Sequence, residues 1–211
     1  MNLQHIFSNF LISKQLNLNT DEILQFCNSI KNNSNAEQFD LTFKEPQLQG
    51  LYSEVTNMLP AITNMLQLKQ TITQKLYNGW LTFEYHNNIL KPHNHPRQFI
   101  AFVYYPLADE NCGNLVLMNP NYLQSYVIPT SRDENVVENW NEFNSTAFRI
   151  KPKSNCIYAF PSWLTHYVEK SPIQTGKRIS IAMNTRIFAR NYSFFGGITT
   201  NNDPTVSDWL K

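Results

Sequence analysis

The sequence predicts a mainly β domain with helices flanking it at the N-terminus. Three observations carry this. From Thr71 onward, short apolar runs alternate with turn-forming clusters, six or more times, as in a sandwich or barrel. Aromatics are abundant, with ten Tyr and fourteen Phe, which suits pleated, half-buried surfaces. Before Thr71 the apolar residues recur at helical spacing instead. At 211 residues the chain suits one domain, alone or with an N-terminal extension. Its 42% hydrophobic and 16% charged content excludes a disordered chain. A net charge of +1 gives no nucleic-acid footprint.

Residues 1–15 read as an extended segment with Ile6, Phe7, Phe10, Leu11 and Ile12 apolar. Asn19-Thr20-Asp21-Glu22 offers capping side chains to a helix carrying Ile23, Leu24, Phe26, Cys27 and Ile30, and the polar run from Lys31 to Asn35 ends it. Pro46 to about Leu68 is a second helix with Leu48, Leu51, Val55, Met58 and Leu59 on one face, broken or kinked at Pro60. No chemistry is visible in residues 1–75, which read as helices packed on an outer face of a sheet.

Ile72, Leu76, Trp80, Leu81, Phe83 and Tyr85 belong to an extended region. Pro92 and Pro96 argue against a helix around His93. Strands are expected over 98–107, 115–118, 147–150, 155–160, 167–169 and 178–188, with Asp109 to Asn114 a turn cluster. Residues 121–146 are long, polar and irregular, which predicts a lid or an insertion. The chain therefore divides into a helical region at 1–75, a β core at 76–190 and a tail at 191–211.

Cys27, Cys112 and Cys156 are odd in number and widely spaced, and form no CxxC or zinc pattern. They read as free thiols in a reducing compartment. With no signal-peptide pattern and no run of about 18 apolar residues, a cytoplasmic protein without a membrane partner is expected.

The chemistry concentrates in three places. His93 and His95 are separated by one residue in an extended segment, so both project to one side. Two imidazoles on one face chelate a divalent metal, and His166 from another strand completes a facial set. Arg178 and Ser180 share one face of the next strand, where a guanidinium takes a carboxylate bidentately and the hydroxyl adds a donor.

These residues lie in a longer pattern: His93-x-His95-Pro96, a strand ending Val103-Tyr104-Tyr105, Gly113-x-Leu115 with Asn119-Pro120, Phe160-Pro161-Ser162-Trp163-Leu164-x-His166, and Arg178-Ile179-Ser180-Ile181. The pattern, over residues 78–188, resembles the 2-oxoglutarate/Fe(II)-dependent dioxygenase superfamily. Its nearest likeness is to a branch of bacterial and phage oxygenases related to prolyl hydroxylases. The resemblance implies a double-stranded β-helix, or jelly roll. It implies Fe(II) held by His93, His95 and His166, with 2-oxoglutarate and O2 as co-substrates. Arg178 would take the distal carboxylate of 2-oxoglutarate with Ser180 beside it. One of Tyr104 and Tyr105 would help, and register favours Tyr105. His95 stands where the superfamily mostly has Asp or Glu, which makes the site more cationic and His95 an exchangeable ligand.

The implied reaction hydroxylates a substrate while 2-oxoglutarate is decarboxylated to succinate. The substrate is left open, a protein side chain such as proline being the analogy-led choice. Two alternatives stand beside this: a cupin-type metal enzyme without 2-oxoglutarate, against which Arg178 and Ser180 argue, and a non-catalytic jelly-roll module of a phage, against which the histidine set argues. A phage-encoded chain would act in the host cytoplasm. Oligomeric state is open, a homodimer included.

Overall fold

The computed structural model describes residues 9–32, 38–69, 72–84, 89–121, 137–141, 143–171 and 177–189. The expected tail at 191–211 and most of the expected lid, residues 122–136 and 142, lie outside the described residues.

Among these residues ten strands form two antiparallel sheets. The major sheet has the order β1 (Ile12–Gln15), β8 (Cys156–Pro161), β5 (Ile100–Ala108), β10 (Arg178–Ala189), β3 (Ile72–Glu84), β2 (Gln38–Asp40). The minor sheet has the order β4 (Leu90–His93), β9 (His166–Val168), β6 (Leu115–Met118), β7 (Ala147–Ile150). From β3 onward the chain passes back and forth between the sheets, with only β6 and β7 consecutive in one of them. This is the double-stranded β-helix.

The two faces of the major sheet explain its sequence. On one face lie α1 (Thr20–Asn32) and α2 (Gln49–Met65); on the other lies the minor sheet. Strand β8 reads Cys-Ile-Tyr-Ala-Phe-Pro and is buried throughout because both its faces are covered. Ile157 and Ala159 join the helix-side core, while Cys156, Tyr158 and Phe160 join the core between the sheets. The same alternation in β5 sends Phe102 and Tyr104 to the helices and Ala101 and Tyr105 to the minor sheet.

The N-terminal region does more than cover a face. It also supplies both edges of the major sheet, β1 beside β8 and β2 beside β3. Helix α1 begins as its sequence predicts: Asn19 Oδ1 accepts the Glu22 N–H at 3.4 Å and the Asn19 carbonyl accepts the Ile23 N–H at 3.3 Å. Helix α2 runs past Pro60, which lies inside it, so of the two expected effects of that proline it does not break the helix. Leu59 before the proline and Ile62 after it are both buried, and their packing offsets the backbone bond that proline cannot make. No helix among the described residues is long and apolar enough to cross a membrane.

Leu51 lies in the helix-side core with no exposed surface. Leu51→Ala should cost about 2–5 kcal/mol, read from the shift of the urea midpoint at constant m-value.

Candidate metal and co-substrate site

Strand β10 builds one wall. Ile179, Ile181 and Met183 point to the helix-side core, so Arg178, Ser180, Ala182 and Asn184 point between the sheets. Across the ladder to β3, Ser180 pairs with Thr82 and Ala182 with Trp80. Towards β5 the register shifts: Ile179 pairs with Leu107 but Ile181 with Tyr104, so Tyr105 and Pro106 together oppose Ser180. Such a bulge re-aims side chains, and here Tyr105 faces inward. The inward residues enclose a cavity of about 270 Å³, lined among others by His93, His95, His166, Tyr105, Arg178 and Ser180.

The three histidines converge at the end of the minor sheet. His93 ends β4, His166 begins β9, and the two are paired across the ladder. His95 lies beyond the strand end, where its N–H donates to the Ser162 carbonyl at 2.9 Å. One ring nitrogen from each lies within 4.8 Å of the other two. The ring centroids form a near-equilateral triangle, with separations of 5.1, 4.3 and 5.0 Å.

The tautomers follow from backbone contacts. His93 Nδ1 meets the Lys91 carbonyl at 2.8 Å, and His166 Nδ1 meets the Leu164 carbonyl at 2.9 Å. A carbonyl can only accept, so Nδ1 carries the proton and donates in both. Nε2 is left with its lone pair, the state a metal ligand needs. Burial, with the neighbouring imidazoles adding to it, pushes His95 down to about 4. Burial also pushes His166 down to about 4, partly offset by its bond to Leu164. Three imidazoles converging on one point fit a divalent first-row metal such as iron.

Arg178 is a buried cation, 4% exposed, whose Nη1 donates to the Gly113 carbonyl at 2.9 Å. Burial lowers its pKa to about 10, so it stays charged at neutral pH. The guanidinium carbon lies 5.9 Å from the centre of the Tyr105 ring. Gly113 must be glycine, because a Cβ there would fall on the Glu169 carbonyl. That close approach lets the turn before β6 reach the arginine. A fixed guanidinium with the Ser180 hydroxyl in the same cavity as the imidazoles fits a small carboxylate.

Of the residues anticipated from sequence, His93, His95, His166, Tyr105, Arg178 and Ser180 share this cavity, and Tyr104 does not. Tyr104 lies in the helix-side core, its hydroxyl donating to Asn155 Oδ1 at 2.8 Å. Neighbouring strand residues face opposite ways, so only one of the pair can line the cavity. Sequence reasoning missed Trp80, Thr82, Gln38 and Asn184, which also line it. The Trp80 ring lies 5.4 Å from that of His95. Its signal was the alternation Trp80-Leu81-Thr82-Phe83, legible only once the buried face of β3 is known.

Residues 78–184, just over half of the chain, match the family described as 2OG-Fe(II) oxygenase. The chain belongs to this family. It is an Fe(II)- and 2-oxoglutarate-dependent oxygenase, with O2 as co-substrate. Similar folds include a Pseudomonas putida prolyl-4-hydroxylase, 11% identical with a TM-score of 0.60, over 87% of this chain and 94% of that one. The viral collagen prolyl hydroxylase of Paramecium Bursaria Chlorella virus-1 is 12% identical with a TM-score of 0.56, over 83% and 89%. HygX of Streptomyces hygroscopicus, with nickel and 2-oxoglutarate bound, is 11% identical with a TM-score of 0.55, over 83% and 81%. At these identities the likeness is one of fold. No curated protein matches the sequence.

The low values of His95 and His166 give the metal-free protein a pH dependence. The unfolded chain takes up protons as pH falls below 6.5, while the folded chain resists until about 4. Stability from this source is complete above 6.5 and is lost on descent towards 4. Urea midpoints of metal-free protein should therefore fall between pH 7 and 5; a flat series would refute the depressed values of His95 and His166.

Proposed function

We propose that this oxygenase hydroxylates a side chain of a polypeptide, a prolyl residue being the first choice. The observation that carries the reading is that the imidazole triad and the buried Arg178 line one cavity. His93, His95 and His166 would hold the iron. Arg178 would bind the far carboxylate of 2-oxoglutarate, Ser180 would donate to it, and the Tyr105 ring would fix the plane of the guanidinium. When bound, the metal and 2-oxoglutarate supply the oxidation, in which 2-oxoglutarate and O2 yield succinate and CO2 while a substrate C–H becomes C–OH.

The protein's part is to orient and to exclude water. Leu115, Val168 and Ala101 give the cavity apolar walls, which strengthen every electrostatic contact inside it. The choice of a polypeptide is supported by prolyl hydroxylases among the similar folds. Nucleic acid is not expected as a partner, given the near-neutral charge.

The deciding experiment is metal-dependent conversion of 2-oxoglutarate to succinate by anaerobically purified protein on admission of O2. Succinate formed only with added Fe(II) is expected; none at any metal loading would overturn the reading. His166→Ala should lose at least nine-tenths of the bound iron, since it removes one of three donors; iron content equal to wild type would exclude the ligand role. Arg178→Ala should raise the 2-oxoglutarate dissociation constant about tenfold or more by calorimetry on metal-loaded protein, because a charge-assisted bidentate contact is gone. An unchanged constant would sink that role.

A further inference from the structure

The three imidazoles are not held alike. His93 and His166 each have Nδ1 tied to a backbone carbonyl, at 2.8 and 2.9 Å, and such bonds fix the plane of a ligating ring. His95 is held through its backbone, whose N–H donates to the Ser162 carbonyl. Among the described residues no group hydrogen-bonds the His95 ring. That ring is met by other rings instead: His93 at 5.1 Å, His166 at 5.0 Å and Trp80 at 5.4 Å between centroids. The first two are the remaining members of the triad. Among the described residues, Trp80 is the ring contact of His95 that lies outside it.

Strand β3 gives this indole a firm base. Trp80 is paired on both sides, with Ala182 of β10 and with Asp40 of β2, so its backbone is fixed. Leu81 and Phe83 fill the helix-side core, which turns Trp80 and Thr82 into the cavity they line. Ala182, on the same face, is small and leaves the indole room. Trp80 therefore reaches from the major sheet to a histidine carried by the segment that follows β4 of the minor sheet. The two rings lie 54° apart in plane, at a separation within the range of favourable aromatic pairs. An indole has only two side-chain torsions, so it is a stiff neighbour.

We propose that Trp80 is a positioning residue for the metal site: its indole sets the plane of the His95 imidazole, as the carbonyl bonds do for His93 and His166. This rests on the reading that the three histidines hold the iron, and deepens it. Rotation about the side-chain bonds of His95 carries its lone pair away from the point on which the other two converge. The indole blocks that rotation. Without it the backbone of His95 keeps its bond to Ser162, but the ring gains orientations that must be given up when a metal binds, and affinity falls. The effect passes through His95 alone, because His93 and His166 keep their own carbonyl bonds.

The probe is Ni(II) alone, which binds nitrogen donors more tightly than Fe(II) and so keeps weakened variants measurable. It is titrated into metal-free protein by calorimetry, and its ligand-field absorption reports the donor set without turnover. Trp80→Leu and Trp80→Met should each weaken binding about tenfold and alter the absorption; either one, folded, suffices. Trp80→Phe should stay within about threefold of wild type and keep its absorption. In a His95→Ala background, Trp80→Leu or Trp80→Met should cause no further loss, because the ligand it positions is gone. Wild-type affinity in the Leu or Met variant overturns the proposal. An equal loss in the His95→Ala background also overturns it, since the indole would then be a general wall, and so does wild-type binding by His95→Ala itself. Failure of the underlying reading looks different and takes the proposal with it: wild type takes up no Ni(II), or His166→Ala binds it as wild type does.

Discussion

The structure depends on one constraint, the position of β10 between β3 and β5 in the centre of the major sheet. A central strand must satisfy both of its faces, and here the faces demand opposite chemistry. The helix side takes Ile179, Ile181 and Met183, and the cavity side takes Arg178, Ser180, Ala182 and Asn184. A shift of one residue would bury three apolar side chains in the cavity and send the guanidinium into the helix-side core. The fold and the site are therefore specified by the same alternation, and helices α1 and α2 contribute to the site by fixing which face is which.

The electrostatics of the cavity are unusual in having neutral donors beside a buried cation. An arginine 4% exposed is costly unless its donors are engaged. Part of that cost is met by the Gly113 carbonyl, brought close because position 113 has no Cβ. The imidazoles add no compensating negative charge. The arrangement thus favours anionic occupants, in keeping with a dicarboxylate co-substrate.

Much of this was legible in the sequence because its signals are local. His93-x-His95 shows a shared direction from spacing alone, and Arg178-x-Ser180 shows a shared face. Asn19 announces α1 through its side chain. What stayed hidden depends on pairing between distant segments. The edge strand β2 is three residues long and has no period to read. Trp80 becomes a wall residue only through its register with Ala182. Whether Pro60 would break α2 was not legible locally, because the outcome depends on the buried face that continues at Ile62. The preference for Tyr105 over Tyr104 was legible from register, since the two must face opposite ways.

The triad is uneven in stiffness. His93 and His166 face each other across a ladder, and each ring is tied to the carbonyl two residues before it. His95 sits beyond the strand end, in a segment where Arg97 adopts a left-handed φ of 68°, and its backbone hangs on the turn at Ser162. An ion held by the three would therefore have two partners set by the ladder and one set by the turn at Ser162. The Pro161–Leu164 turn would thus bear on the metal through His95, while a carboxylate at Arg178 would depend on another part of the chain, the Gly113 turn.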